Sequence, residues 1–249
     1  MTDQWTRAVR RQLGFGRLLP LGGPRDGAWI TERAAESVLR HAARHVPGAH
    51  LGTLRLALAD PNETHEPAVP PPPSALPPGP LRISADFTAT LATGEPLPAL
   101  ASRLRAALAE AATERLGLTV TEVDLRVTGL LEEGDTGATE DDETDVRPDE
   151  PQRPTEPDSG LDDESRVAAA ALSVPGVARL TGALAGRGRA VHIEEQPGET
   201  TLPRRHVRIE LETHADHRTL DVAREVRGAA SEALPDHPSV AVLVTGVTD

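Results

Sequence analysis

Apolar and polar residues alternate along this chain in two rhythms, and together they outline the same series of elements twice. Trp29-Ile30 reads as a short opening strand, and Thr31 as the N-cap of a helix running to about Val46. Ala35, Val38, Leu39, Ala42 and Val46 make its apolar stripe, with Glu32, Glu36, Arg40 and Arg44 facing out. Pro47-Gly48 stops it. Leu54, Leu56 and Leu58 then alternate with Thr53, Arg55 and Ala57, the period of a half-buried strand. A second alternation places Ile83, Ala85, Phe87, Ala89 and Leu91 on one face. A helix from about Pro96 to Leu116, with Leu100, Leu104, Leu108 and Ala111 on its stripe, is capped by Gly117. The last strand turns Val123, Leu125 and Val127 inward, turns Glu122, Asp124 and Arg126 outward, and ends at Thr128-Gly129.

The order then returns. A helix over Val167 to Leu172 leads to Val174-Pro175-Gly176-Val177, matching Val46-Pro47-Gly48-Ala49. A strand-like stretch carries a hairpin signal at Gly186-Arg187-Gly188, and Val207, Ile209 and Leu211 mark the next strand. A helix over Arg218 to Leu234 and a strand over Val240 to Val244 close on Thr245-Gly246, matching Thr128-Gly129. Two copies of one domain account for this. The expected class is α+β: two small two-layer α/β units in α-β-β-α-β order, each with helices on one face of a short, mostly antiparallel sheet. The copies differ in their last strand, whose outward positions in the second are Ala241 and Leu243 rather than charges. That strand is expected to be covered on both faces, by the first unit or by a second chain.

Charge places the join between the units. Residues 131–165 hold 15 Asp and Glu against Arg147 and Arg153, a net −13 that equals the charge of the whole chain. So acidic a stretch, with prolines and few apolar residues, is expected to be a disordered linker. The organisation is then a basic arm over 1–26, a first domain over 27–130, the linker over 131–165 and a degenerate second copy over 166–249. The arm carries Trp5, Val9 and Leu13 at helical spacing among arginines. These three are candidate interaction residues for an anionic interface or a partner, or else an arm that packs locally. Residues 60–80 hold nine prolines, suiting either a polyproline segment that docks on a partner or an inert spacer.

Composition removes several chemistries. There is no Cys, so disulfides and thiolate chemistry are excluded. Every basic residue is Arg, so no P-loop lysine exists. No apolar run is long enough to span a bilayer, and no secretory signal opens the chain; a cytoplasmic protein is expected, at most peripheral at the inner face of the membrane. His41 and His45 share a helix face near His50, but no Glu follows His41, so the zinc-protease pattern fails. His214 and His217 flank a strand-to-helix turn and read as loop and capping residues before ligands. No Gly-x-Ser-x-Gly elbow is present, and Gly14-Phe15-Gly16 lacks the third glycine of a dinucleotide loop. No catalytic, cofactor or metal residues are assigned. RNA-binding modules of this size use a Gly-x-x-Gly loop or sheet aromatics on a basic surface, and neither is present.

Gly27-Ala28-Trp29-Ile30-Thr31 before the Val46-Pro47-Gly48 helix, and Leu116-Gly117-Leu118-Thr119-Val120 leading to Val127-Thr128-Gly129, carry a resemblance. The chain resembles the alkaline shock protein (Gls-type) envelope stress family of Gram-positive bacteria, in a two-copy actinobacterial version. The likeness covers about residues 27–130, with a degenerate copy over 166–248 that lacks the Gly-x-Trp-Ile-Thr opening. It implies a non-enzymatic, self-associating scaffold held beneath the membrane by a small membrane-anchored partner. An RNA- or ribosome-associated module is the alternative.

Overall fold

In a computed structural model, residues 16–90, 95–131, 159–183, 189–196 and 204–249 are described, and within them nine strands and four α-helices follow the two repeats. A hairpin of β1 (Leu18–Leu21) and β2 (Ala28–Thr31) leads into the first repeat. That repeat runs α1 (Glu32–Arg44), β3 (Ala49–Leu58), β4 (Leu81–Thr90), α2 (Leu97–Glu110, prolonged by a π turn over Ala111–Leu116) and β5 (Val120–Leu131). The second runs α3 (Ser159–Leu172), β6 (Val177–Leu180), β7 (Val191–Gln196), β8 (Arg204–His214), α4 (Thr219–Glu232) and β9 (Ser239–Thr248). Helix α3 begins inside the stretch read as linker, and Gly186 to Gly188 lie outside the described residues.

The duplication extends to backbone detail. In each repeat the middle strand pairs antiparallel with the strand before it and parallel with the strand after the crossover helix. The sheets are therefore mixed, not mostly antiparallel, because a helix between two neighbouring strands forces them to run the same way. Strands β6 and β7 lie end to end along β8, where the first repeat has the single strand β3. Gly48 and Gly176 end their helices at φ 82° and 86°, conformations that favour glycine, and each carbonyl accepts an N–H from the middle strand, Thr90 or His214, at 2.9 Å. Both Thr-Gly pairs sit at a bulge: the register skips Thr128 opposite Phe87/Thr88 and Thr245 opposite Leu211/Glu212. Each threonine hydroxyl returns to the middle strand, Thr128 to the Phe87 carbonyl (3.3 Å) and Thr245 to that of Leu211 (3.1 Å).

The repeats do not keep separate cores. Strand β2, read as the opening of the first domain, pairs parallel with β9 of the second, Trp29 opposite Leu243. One sheet thus runs β1-β2-β9-β8, with β6 and β7 on the far edge, and the other is β3-β4-β5. Helix α1 packs on both β9 and β3, and one apolar cluster joins Leu39, Phe87 and Leu104 to Leu211, Val226 and Val244. The stripe of α1 is wide enough for two contacts, since Ala34, Ala35, Val38, Leu39 and Ala43 are all buried.

The other face of the larger sheet has its own cover. Leu18, Trp29, Val69, Ala241 and Leu243 form a second apolar cluster with Ala75 beside it. Val69 and Ala75 belong to the Pro-rich segment, which is held by Ala68 N–H to the Pro24 carbonyl and Leu76 N–H to that of Leu18, both 2.8 Å. The segment reads in sequence as a spacer or a docking motif, but it serves as a lid over a two-sided sheet.

Candidate interaction surfaces

The residues that sequence reasoning singled out fall in different places. Trp5, Val9 and Leu13 lie outside the described residues. Ala241 (0% exposed) and Leu243 (2%) are closed off by Trp29, Leu18 and Val69 of the same chain, so their contact is made within the molecule.

The histidines divide. The His41 and His45 rings stand 4.9 Å apart, but His45 Nδ1 is engaged with the His41 carbonyl (2.9 Å). His50 Nε2 meets Thr90 Oγ1 at 3.0 Å. Among the described residues, no group of three or more His, Asp or Glu is arranged to hold a metal ion. His41 and His217, far apart in sequence, line one cavity of about 60 Å³ with Ser37, Arg115, Thr219 and Asp249. Thr219 is fully buried and its hydroxyl has no partner among the described residues. The volume holds about two waters and falls well below the several hundred Å³ of a typical organic-ligand site. The Asp216 carboxylate accepts from His217 Nδ1 at 2.7 Å, and that contact holds the Asp216 carboxyl below its usual range. His206, which meets Ser239 Oγ at 2.8 Å, is pushed toward its neutral form by burial.

One ion pair ties the repeats together. Asp26, in the β1–β2 turn, accepts from Arg224 Nε (2.8 Å) and Nη2 (3.1 Å) on α4 and from the Gly23 N–H (2.7 Å). Arg227 donates to the Arg25 carbonyl beside it. Burial acts to raise the Asp26 pKa, but the Arg224 hydrogen bond, the Gly23 N–H and the two arginine charges together hold it below the ordinary value. A depressed carboxylate stabilises the fold above the ordinary carboxylate range and loses that contribution as pH falls through its folded pKa. Arg224 is about half exposed, so solvent screens the pair. Asp26→Asn is expected to cost about 0.5–1 kcal/mol at pH 7. In urea titrations against the parent, that gap should close as pH falls below the carboxylate range; a gap that persists would mean the charge is not its source.

The smaller sheet is the open one. Its outer face carries Arg55, Ser84, Asp86, Glu122, Asp124 and Arg126, with Arg82 and Glu122 paired at 3.6 Å. Among the described residues β5 is the longest strand and pairs with β4 alone, so no strand lies along its other edge. Val127 (37% exposed) and Leu130 (53%) lie on it. The element order explains the vacancy. Strand β2 precedes α1 and fills the edge of β9; its counterpart would precede α3 and fill the edge of β5. The sequence before α3 has Pro151, Pro154 and Pro157, which carry no backbone N–H, among acidic residues, and it lies outside the described residues. That contrast was visible in the sequence as the missing Gly-x-Trp-Ile-Thr opening, but its meaning required knowing that β2 crosses to β9. No helix among the described residues is long and apolar enough to cross a membrane. Set against known proteins, the chain matches no family model and no curated protein.

Proposed function

We propose that this protein is a non-enzymatic scaffold of the cell-envelope stress response. It associates with itself or with a small membrane-anchored partner at the inner face of the cytoplasmic membrane. The observation that carries the reading is that, among the described residues, no strand pairs on the outer edge of β5, whereas the same edge of the other repeat is filled by β2. An open edge adds strands from other chains through main-chain hydrogen bonds and needs no catalytic group. The envelope setting comes from the resemblance of Gly27-Ala28-Trp29-Ile30-Thr31 and Leu116-Gly117-Leu118-Thr119-Val120 to the alkaline shock family.

The test is a pull-down of the tagged full chain from membrane and soluble fractions beside an untagged copy. The reading expects the untagged copy or a membrane-anchored protein in the eluate. Recovery of RNA-binding proteins alone would overturn it in favour of the RNA-associated alternative.

A further inference from the structure

We infer that the free edge of β5 pairs with the same edge of a second copy, antiparallel and centred on Leu125, joining two three-stranded sheets into one. The inference rests on the self-association half of the reading above and names its surface.

Three features of β5 point to a second copy. The first is backbone direction. The Val123 carbonyl faces away from β4, since Arg105 Nε of α2 donates to it at 3.0 Å. Alternation gives Leu125 and Val127 the same outward N–H and C=O groups. The second is the register. Pairing with β4 is regular from Glu122 to Val127 and is broken by a shift on either side. The outward groups of this window, at Val123, Leu125 and Val127, are symmetric about Leu125. A two-fold axis through Leu125 would set Leu125 against its own copy and Val123 against Val127 of the other chain, each pair exchanging both bonds. The Val127 N–H would then take over the Val123 carbonyl from Arg105.

The third is charge. In this register Asp124 lies opposite Arg126 of the second copy, and Arg126 opposite its Asp124, on the solvent face. Both side chains are exposed, and neither forms an ion pair among the described residues. A like-charged or uncharged partner strand would leave this arrangement unused, whereas a second copy satisfies it twice by symmetry. On the opposite face, Val127 would gain Val123 of the other chain as its cross-strand neighbour.

The test is sedimentation velocity of the full chain over a concentration series, with Asp124→Arg, Arg126→Asp and the double exchange D124R/R126D. The parent is expected to dimerise. Each single reversal sets like charges opposite each other at two symmetric places and should weaken the dimer by about tenfold or more. The double exchange restores opposite charges and should return the dimer to within about threefold of the parent. Circular dichroism on the same samples checks that these surface variants are folded. A parent that is monomeric at every concentration, single reversals that dimerise like the parent, or a double exchange as weak as the singles would each overturn the pairing. A dimer indifferent to these charges defeats the pairing and leaves the scaffold reading intact. Loss of both self-association and membrane-partner capture defeats the scaffold reading as well.

Discussion

Trp29→Ala is expected to lower the unfolding free energy by about 3–5 kcal/mol, the range for emptying a large buried aromatic site. Trp29 is 1% exposed and stands where three separate parts of the chain meet. Its backbone belongs to β2, opposite Leu243 of β9. Its ring lies in the cluster with Ala241, Leu243 and Val69, and its Nε1–H donates to the Leu76 carbonyl at 3.4 Å. Truncation therefore leaves a cavity under the Pro-rich lid and orphans a carbonyl that anchors it. Urea unfolding followed by far-ultraviolet circular dichroism measures the loss. A cost under about 0.5 kcal/mol, the size of an ordinary surface change, would show that the lid does not close this face.

Gly117→Ala is the second large effect, and it comes from packing between the repeats. Gly117 ends the π turn at φ 85°, where a side chain is strained whatever the space. A Cβ there would stand 2.4 Å from Leu220 Cβ on α4. That atom is fixed to the backbone and cannot rotate away, so α4 or the turn must move. The Gly117 carbonyl also accepts the Gly22 N–H at 3.1 Å, so a shift is felt in the β1–β2 turn. Left-handed strain and overpacking together should cost about 3 kcal/mol or more. Gly228→Ala, on the same helix α4, is the control: an added Cβ meets nothing within 4 Å, and helix propensity should give a gain of about 0.5–1 kcal/mol. Thermal unfolding of the two variants should shift in opposite directions. A Gly117→Ala protein as stable as its parent would mean that the two repeats do not interlock here.

What the sequence disclosed followed from local periodicity. The stripes of α1 and α2, the alternation of β4 from Ile83 to Ala89 and the paired Pro-Gly and Thr-Gly motifs are all short-range signals, and each is present where the pattern places it, while Leu91 lies outside the described residues. The both-face burial expected of Ala241 and Leu243 is present too, because an outward position without charge is a local statement about its environment. Partnership between distant segments was not legible. Nothing in Ala28-Trp29-Ile30-Thr31 says that it lies beside β9, since a four-residue apolar strand fits the edge of either repeat. The Pro-rich segment hid its role for a similar reason: Val69 and Ala75 are isolated apolar residues with no period to signal a buried face. The open edge of β5 could be recognised only once that crossing was known.

Two copies of one topology share a single core among the described residues, with β2 of the first completing the sheet of the second. The most direct test of this shared core is to place a protease site within residues 132–158, cleave the folded protein, and pass the product through a sizing column in native buffer. The two halves are expected to co-elute and to unfold together in urea in one transition, because α1 and β2 stay packed on β9 without a covalent link. Halves that separate while each keeps its secondary structure would contradict it, and would return the chain to two independent domains on a tether.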